Sequence, residues 1–211
     1  MEPTTTGRFR LLDRRPDGTI LLVDLEEASK AAAGDHEADL QPLAVEPPAD
    51  GELTETVCEL KPGYVVSARL AWNESEARFV DCTVEEETWI QYADGISGVF
   101  ELAQETWYDA QTAGDAMNSR TTYSTGNEPN GVVYTFAKQT PPRDLFEEFR
   151  TGTTPIEPLI QRLEAEREDE QDRAVFVMNP VDEEFVLIYI VFSKDGMLAQ
   201  TVRDTYGLPS L

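Results

Sequence analysis

Apolar and polar residues alternate with a period of two from the start of the chain. Gly7-Arg8-Phe9-Arg10-Leu11-Leu12 and Thr19-Ile20-Leu21-Leu22-Val23-Asp24 are β-like runs, and the intervening Asp13–Gly18 ends in Asp17-Gly18, a strong turn signal. This pattern predicts a hairpin. Between residues 27 and 52 the alternation dissolves into Ala, Asp, Glu and Pro with no sustained apolar face, which predicts a flexible acidic connector with at most a brief helical turn near Glu26–Ala33. Alternation then returns in Val65–Trp72, Ala77–Val84 and Thr88–Tyr92, each run set off from the last by polar residues.

With the hairpin, this meander makes about five strands, enough for a small curled sheet or an open barrel of the oligonucleotide/oligosaccharide-binding type. The Leu60-Lys61-Pro62-Gly63 entry into a long strand fits such a barrel. From Val99 to Met117 the period changes to that of a helix, with apolar residues at Val99, Leu102, Ala103, Trp107, Ala110 and Ala113. A polar stretch from Asn118 to Gly131 precedes a strand at Val132–Ala137. Arg143–Arg150 reads as a short helix, and Thr154-Pro155 as the cap and first residue of a helix over Pro155–Arg167. Ala174–Met178 and Glu184–Phe192 read as paired strands, and Gly196–Tyr206 as a last helix. The fold class is therefore α+β: a β-rich, barrel-like module over residues 1–96, and over 97–211 an antiparallel sheet with helices on one face, the two halves separate or continuous.

Charge changes the picture of the surroundings rather than of the fold. Asp and Glu number 41 against 17 Lys and Arg, a net charge of −24 spread along the whole chain. At about 1 M salt the Debye length is only ~3 Å, so such a surface suits a salt-adapted cytosol. The same charge argues against broad phosphate binding, which needs cations to release counterions. The longest apolar run, Phe185–Phe192, is far short of the ~20 residues of a spanning helix, and residues 1–20 lack the apolar core of a secretory signal; a cytoplasmic protein without a membrane segment is expected. Cys58 and Cys82 lie in apolar-alternating stretches with no CxxC spacing, which predicts two buried free thiols and no zinc site.

Catalytic patterns are scarce. The single histidine, His36, falls in the connector, where no rigid scaffold would hold a general base. GxxxxGK[ST], GxGxxG and HExxH are all absent, so no cofactor, metal or catalytic residue is assigned. The one basic cluster is Arg8 and Arg10 on one face of the first strand with Arg14 and Arg15 in the adjoining turn. If Arg69 and Arg78 joined that face beside Trp72, Trp89 or Tyr92, guanidiniums and rings would suit phosphate contact and base stacking; the alternative is that these arginines pair with neighbouring carboxylates and the rings are core. Asn118, Ser119 and Arg120 form a second candidate, an anion site of side-chain and backbone donors, set against Asn118 as a left-handed helix terminus and Arg120 as an edge-strand charge.

Gly114-Asp115-Ala116-Met117-Asn118-Ser119-Arg120, Glu128–Val132, Arg143–Arg150 and Thr201–Tyr206 together resemble an uncharacterised family from halophilic archaea, and the resemblance covers most of the chain outside 27–52. It implies no activity and carries no site residues. The residues themselves favour a non-enzymatic binding module for nucleic acid or a ribonucleoprotein, over a protein–protein adaptor or a small carboxylate-dependent hydrolase or transferase.

Overall fold

In the computed structural model the described residues are 3–33, 41–49, 51–74, 76–139, 143–166 and 172–210. The chain divides into two compact units, residues 1–88 with 148–170, and 89–147 with 171–211.

The first unit is a closed barrel in the order β1-β2-β3-β5-β4. β1 (Thr4–Arg14) is shared by two partners: its first part pairs with β4 (Val65–Asn73) and its second with β2 (Ile20–Asp24), and a register shift between Leu11 and Asp13 bends it from one to the other. Phe9, Leu11, Ile20 and Leu22 point inward and are fully buried. Leu12, Leu21 and Val23 face outward and are covered by Ala28 of α1 (Leu25–Ala32), so the uninterrupted apolar run of β2 reflects burial on both faces. Asp24 starts that helix, its Oδ1 accepting from the backbone N–H groups of Glu26 and Glu27 at 2.8 and 3.3 Å.

Residues 27–52, expected to be a connector with a brief helical turn near Glu26–Ala33, hold most of α1 where that turn was expected and, against expectation, the strand β3 (Leu43–Glu46), whose Val45 enters the barrel core. β3 runs antiparallel to β2 and parallel to β5 (Glu76–Glu86), closing the wall that the meander alone leaves open. A strand this short has one buried side chain to betray it. α2 (Glu52–Glu59) contributes Val57 and Leu53 to the core.

The second unit is a mixed sheet, β6-β9-β10-β8-β7. β6 (Trp89–Ile96), expected to finish the meander, belongs here and lies parallel to β9 (Ala174–Pro180). The purely antiparallel sheet expected for this half is thus corrected, because period-two alternation reports a half-buried strand but not its partner. β10 (Phe185–Val191) is the central strand, and all of its residues are buried. β8 (Pro129–Ala137) and β7 (Met117–Tyr123) follow it. α3 (Glu101–Ala113) and α6 (Met197–Tyr206) cover one face, Ala103, Ala199 and Val202 packing with Val133, Phe176 and Leu187. α4 (Leu145–Thr151) and α5 (Glu157–Glu166) lead the chain back to the first unit. Among the described residues no helix is long and apolar enough to cross a membrane.

Candidate functional site

The outward positions of β1 alternate with Phe9 and Leu11, which places Thr6, Arg8 and Arg10 on the outer wall of the barrel, with Ser67 of β4 opposite Arg8. α1 and α5 lie beside this wall and are joined by a hydrogen bond from Gln161 Nε2 to Ser29 Oγ at 3.2 Å. Between wall and helices is a cleft of about 620 Å³, lined on the helix side by Asp24, Glu26, Ser29, Glu157 and Gln161.

At its base is a buried ion pair. Arg10 Nε donates to Glu157 Oε2 at 2.7 Å, both side chains are 1% exposed, and Arg10 Nη1 donates to the carbonyl of Gly63 at 3.0 Å. Glu157 opens α5, where the helix dipole favours a carboxylate. Its second oxygen, Oε1, is buried and has no hydrogen-bond partner. An acceptor left so is costly unless a donor arrives.

Of the arginines expected to form one face, Arg8, Arg10 and Arg14 are engaged by other groups, while Arg15, Arg69 and Arg78 are exposed. Arg8 is exposed and donates to Glu85 and Glu86 at 2.6 and 2.9 Å, and its hydrogen bond to Glu85 leads in raising its pKa. Arg10 is the buried partner of Glu157. Arg14 donates to the carbonyl of Val57 at 2.7 Å, and Arg15 is exposed in the turn. Arg69 and Arg78 are both exposed on the barrel wall, but Arg69 stands opposite Asp81 and Arg78 alongside Glu46 in register. Trp72 packs against the barrel core and donates to Thr5 Oγ1 at 3.0 Å, while Trp89 and Tyr92 belong to the second unit.

The second candidate is also engaged. The helix before it ends at Gly114 in the left-handed conformation (φ 77°), not at Asn118, because glycine pays no Cβ penalty there. Asn118 and Ser119 lie in β7, an edge strand, and Asn118 Nδ2 donates to the carbonyl of Thr106 at 3.2 Å. Arg120 donates to Glu105 at 2.7 Å and Asp109 at 2.5 Å. In the same unit Arg203 is buried over the rings of Trp89 and Phe176, donating to Gln91 Oε1 at 2.8 Å and to the carbonyl of Lys194 at 2.9 Å. Burial lowers its pKa, against a smaller opposing pull from Asp195.

Both cysteines are free, but only Cys82 is buried; Cys58 is exposed on α2, against the expectation of two buried thiols. Burial, reinforced by Asp81, pushes the Cys82 thiol up to about 11. Under native conditions at pH 8 iodoacetamide is therefore expected to alkylate Cys58 alone, and both thiols once urea unfolds the chain, as intact mass will report. Equal labelling of the folded protein would contradict this environment for Cys82.

His36 lies outside the described residues, and among those described no group of three or more His, Cys, Asp or Glu is placed to hold a metal ion. Sequence reasoning missed Glu157 and Asp24. A signal for the first was present: Ile156, Ile160 and Leu163 are spaced as one buried helix face, and Glu157 falls beside it two residues after Pro155.

Fold and site together define an α+β protein of two units, one of them a barrel carrying a polar cleft on its outer wall. The chain belongs to a family of unknown function, DUF6663, whose match spans residues 1–211. No curated protein and no solved structure matches it.

Proposed function

We propose that the protein is a non-enzymatic binding module whose ligand occupies the cleft on the barrel wall. The observation that carries this reading is Glu157, 1% exposed, with one oxygen held by Arg10 and the other without a hydrogen-bond partner at the edge of a cleft of about 620 Å³. Cavities of this size are typical of small-ligand sites. Binding is favoured over catalysis because most carboxylates of the cleft are committed: Glu157 holds Arg10, Glu86 pairs with Arg8, and Glu26 pairs with Lys30 at 3.0 Å.

The strand order, with β3 parallel to β5, is in keeping with a barrel of the oligonucleotide/oligosaccharide-binding type, a fold that hosts many unrelated ligands. Cytoplasmic residence in a salt-rich cell accords with the net charge of −24. A nucleic-acid ligand has weaker support than a small molecule, because Arg8 and Arg10 already donate to carboxylates.

The test is a thermal-shift comparison in about 1 M KCl, using small amines, sugars and dicarboxylates as probes on the wild type and on Ser67→Leu, which fills the cleft without touching the ion pair. At least one probe class is expected to raise the melting temperature of the wild type and not of the variant. No shift with any class, or equal shifts in both proteins, would overturn the reading; nuclease-sensitive absorbance in the purified protein would return weight to nucleic acid.

A further inference from the structure

We infer that the ligand of this cleft is an organic cation, a small molecule presenting a primary ammonium group. The inference rests on the binding reading above and specifies its chemistry.

Both guanidiniums of the cleft are engaged with carboxylates, while a buried carboxylate oxygen is left without a donor. Arg8 gives Nε and Nη2 to Glu85 and Glu86, and Arg10 gives Nε and Nη1 to Glu157 and the Gly63 carbonyl. Gln161 donates to Ser29, whose own hydroxyl donates to the Leu25 carbonyl at 2.8 Å. Glu157 Oε1, by contrast, is a buried acceptor with no donor. Asp24 supplies a second acceptor: Oδ1 is used by the helix cap, while Oδ2 lies 3.8 Å from where a Cβ on Gly7 would stand.

Charge points the same way. The lining carries Asp24, Glu26, Glu86 and Glu157 against Arg8 and Arg10. An anion would find both guanidiniums already neutralised by carboxylates, whereas an ammonium brings three donors and a positive charge to the unfilled carboxylate oxygen. In concentrated salt the field of the remaining surface is screened, so discrimination falls to the groups in contact with the ligand.

The experiment is isothermal titration calorimetry in about 1 M KCl with putrescine, glucose and malonate on the full chain. Asp24→Asn is the informative variant, because asparagine caps a helix as well as aspartate does while removing the charge. Putrescine is expected to bind at one site per chain, to lose about tenfold in affinity in Asp24→Asn, and to lose binding in Glu157→Gln. Equal binding by wild type and Asp24→Asn would mean generic attraction to an acidic surface and would overturn the inference. If glucose or malonate binds, is blocked by Ser67→Leu, and putrescine does not bind, the cation assignment fails while the binding-module reading stands. If none of the three binds and no probe class shifts the melting temperature, the binding-module reading itself fails.

Discussion

Replacing Glu157 by leucine is expected to remove about 3–5 kcal/mol of folding stability, the typical loss when one partner of a buried ion pair is deleted. The cause lies in Arg10, which is 1% exposed and whose Nε loses its carboxylate acceptor, leaving in that place an apolar side chain. The Gly63 carbonyl accepts one hydrogen bond from Arg10 but offers no opposite charge. The pair Arg10→Met with Glu157→Leu is expected to recover most of the loss, since removing both charges also removes their desolvation cost. Urea unfolding in molar KCl measures both. A single-variant loss below about 1 kcal/mol, the range of exposed ion pairs, would show that the pair is not sequestered from water.

Gly152→Ala is expected to destabilise the chain by about 3 kcal/mol, combining a left-handed backbone penalty of ~1–2 kcal/mol with an overpacking cost of ~1–3 kcal/mol. Gly152 has φ 77°, and a Cβ there would stand 2.4 Å from Leu12 Cδ1 and 2.5 Å from Pro42 Cγ. Gly207→Ala is the matching control: φ is 63° and nothing lies within 4 Å of its Cβ position, so about 1 kcal/mol is expected from the backbone alone. The difference between the two urea midpoints isolates the steric contact. Equal losses would mean that Leu12 or Pro42 yields freely.

Most strands and helices were legible because each is long enough to show its period. β10 was marked by its apolar run, β4 and β5 by their alternation, and α3 by its helical spacing, although its end at Gly114 rather than Asn118 was not. The partners of those strands were not legible. β6 alternates like a meander strand, yet it pairs with β9, more than 80 residues on, because burial pattern constrains a strand's faces and not its neighbour. β3 escaped notice since only Val45 is buried in it. At the site, alternation correctly put Arg8 and Arg10 on one side of β1 but could not say that α5 would cover one and leave the other in solvent. That difference turns Arg10 into half of a buried pair and Arg8 into a surface cation held by two glutamates.

The barrel unit is completed by residues 148–170, after the chain has already begun the second sheet. Synthesis runs from the N-terminus, so β1 to β5 leave the ribosome well before Glu157 exists. Through that interval Arg10 has no access to the carboxylate that neutralises it, and β6 has no β9 to pair with. A product truncated after the barrel strands lacks Glu157 for Arg10, and one truncated after β6 but before Glu157 leaves β6 unpaired as well. The wiring therefore makes the barrel's buried ion pair depend on a segment made late in synthesis.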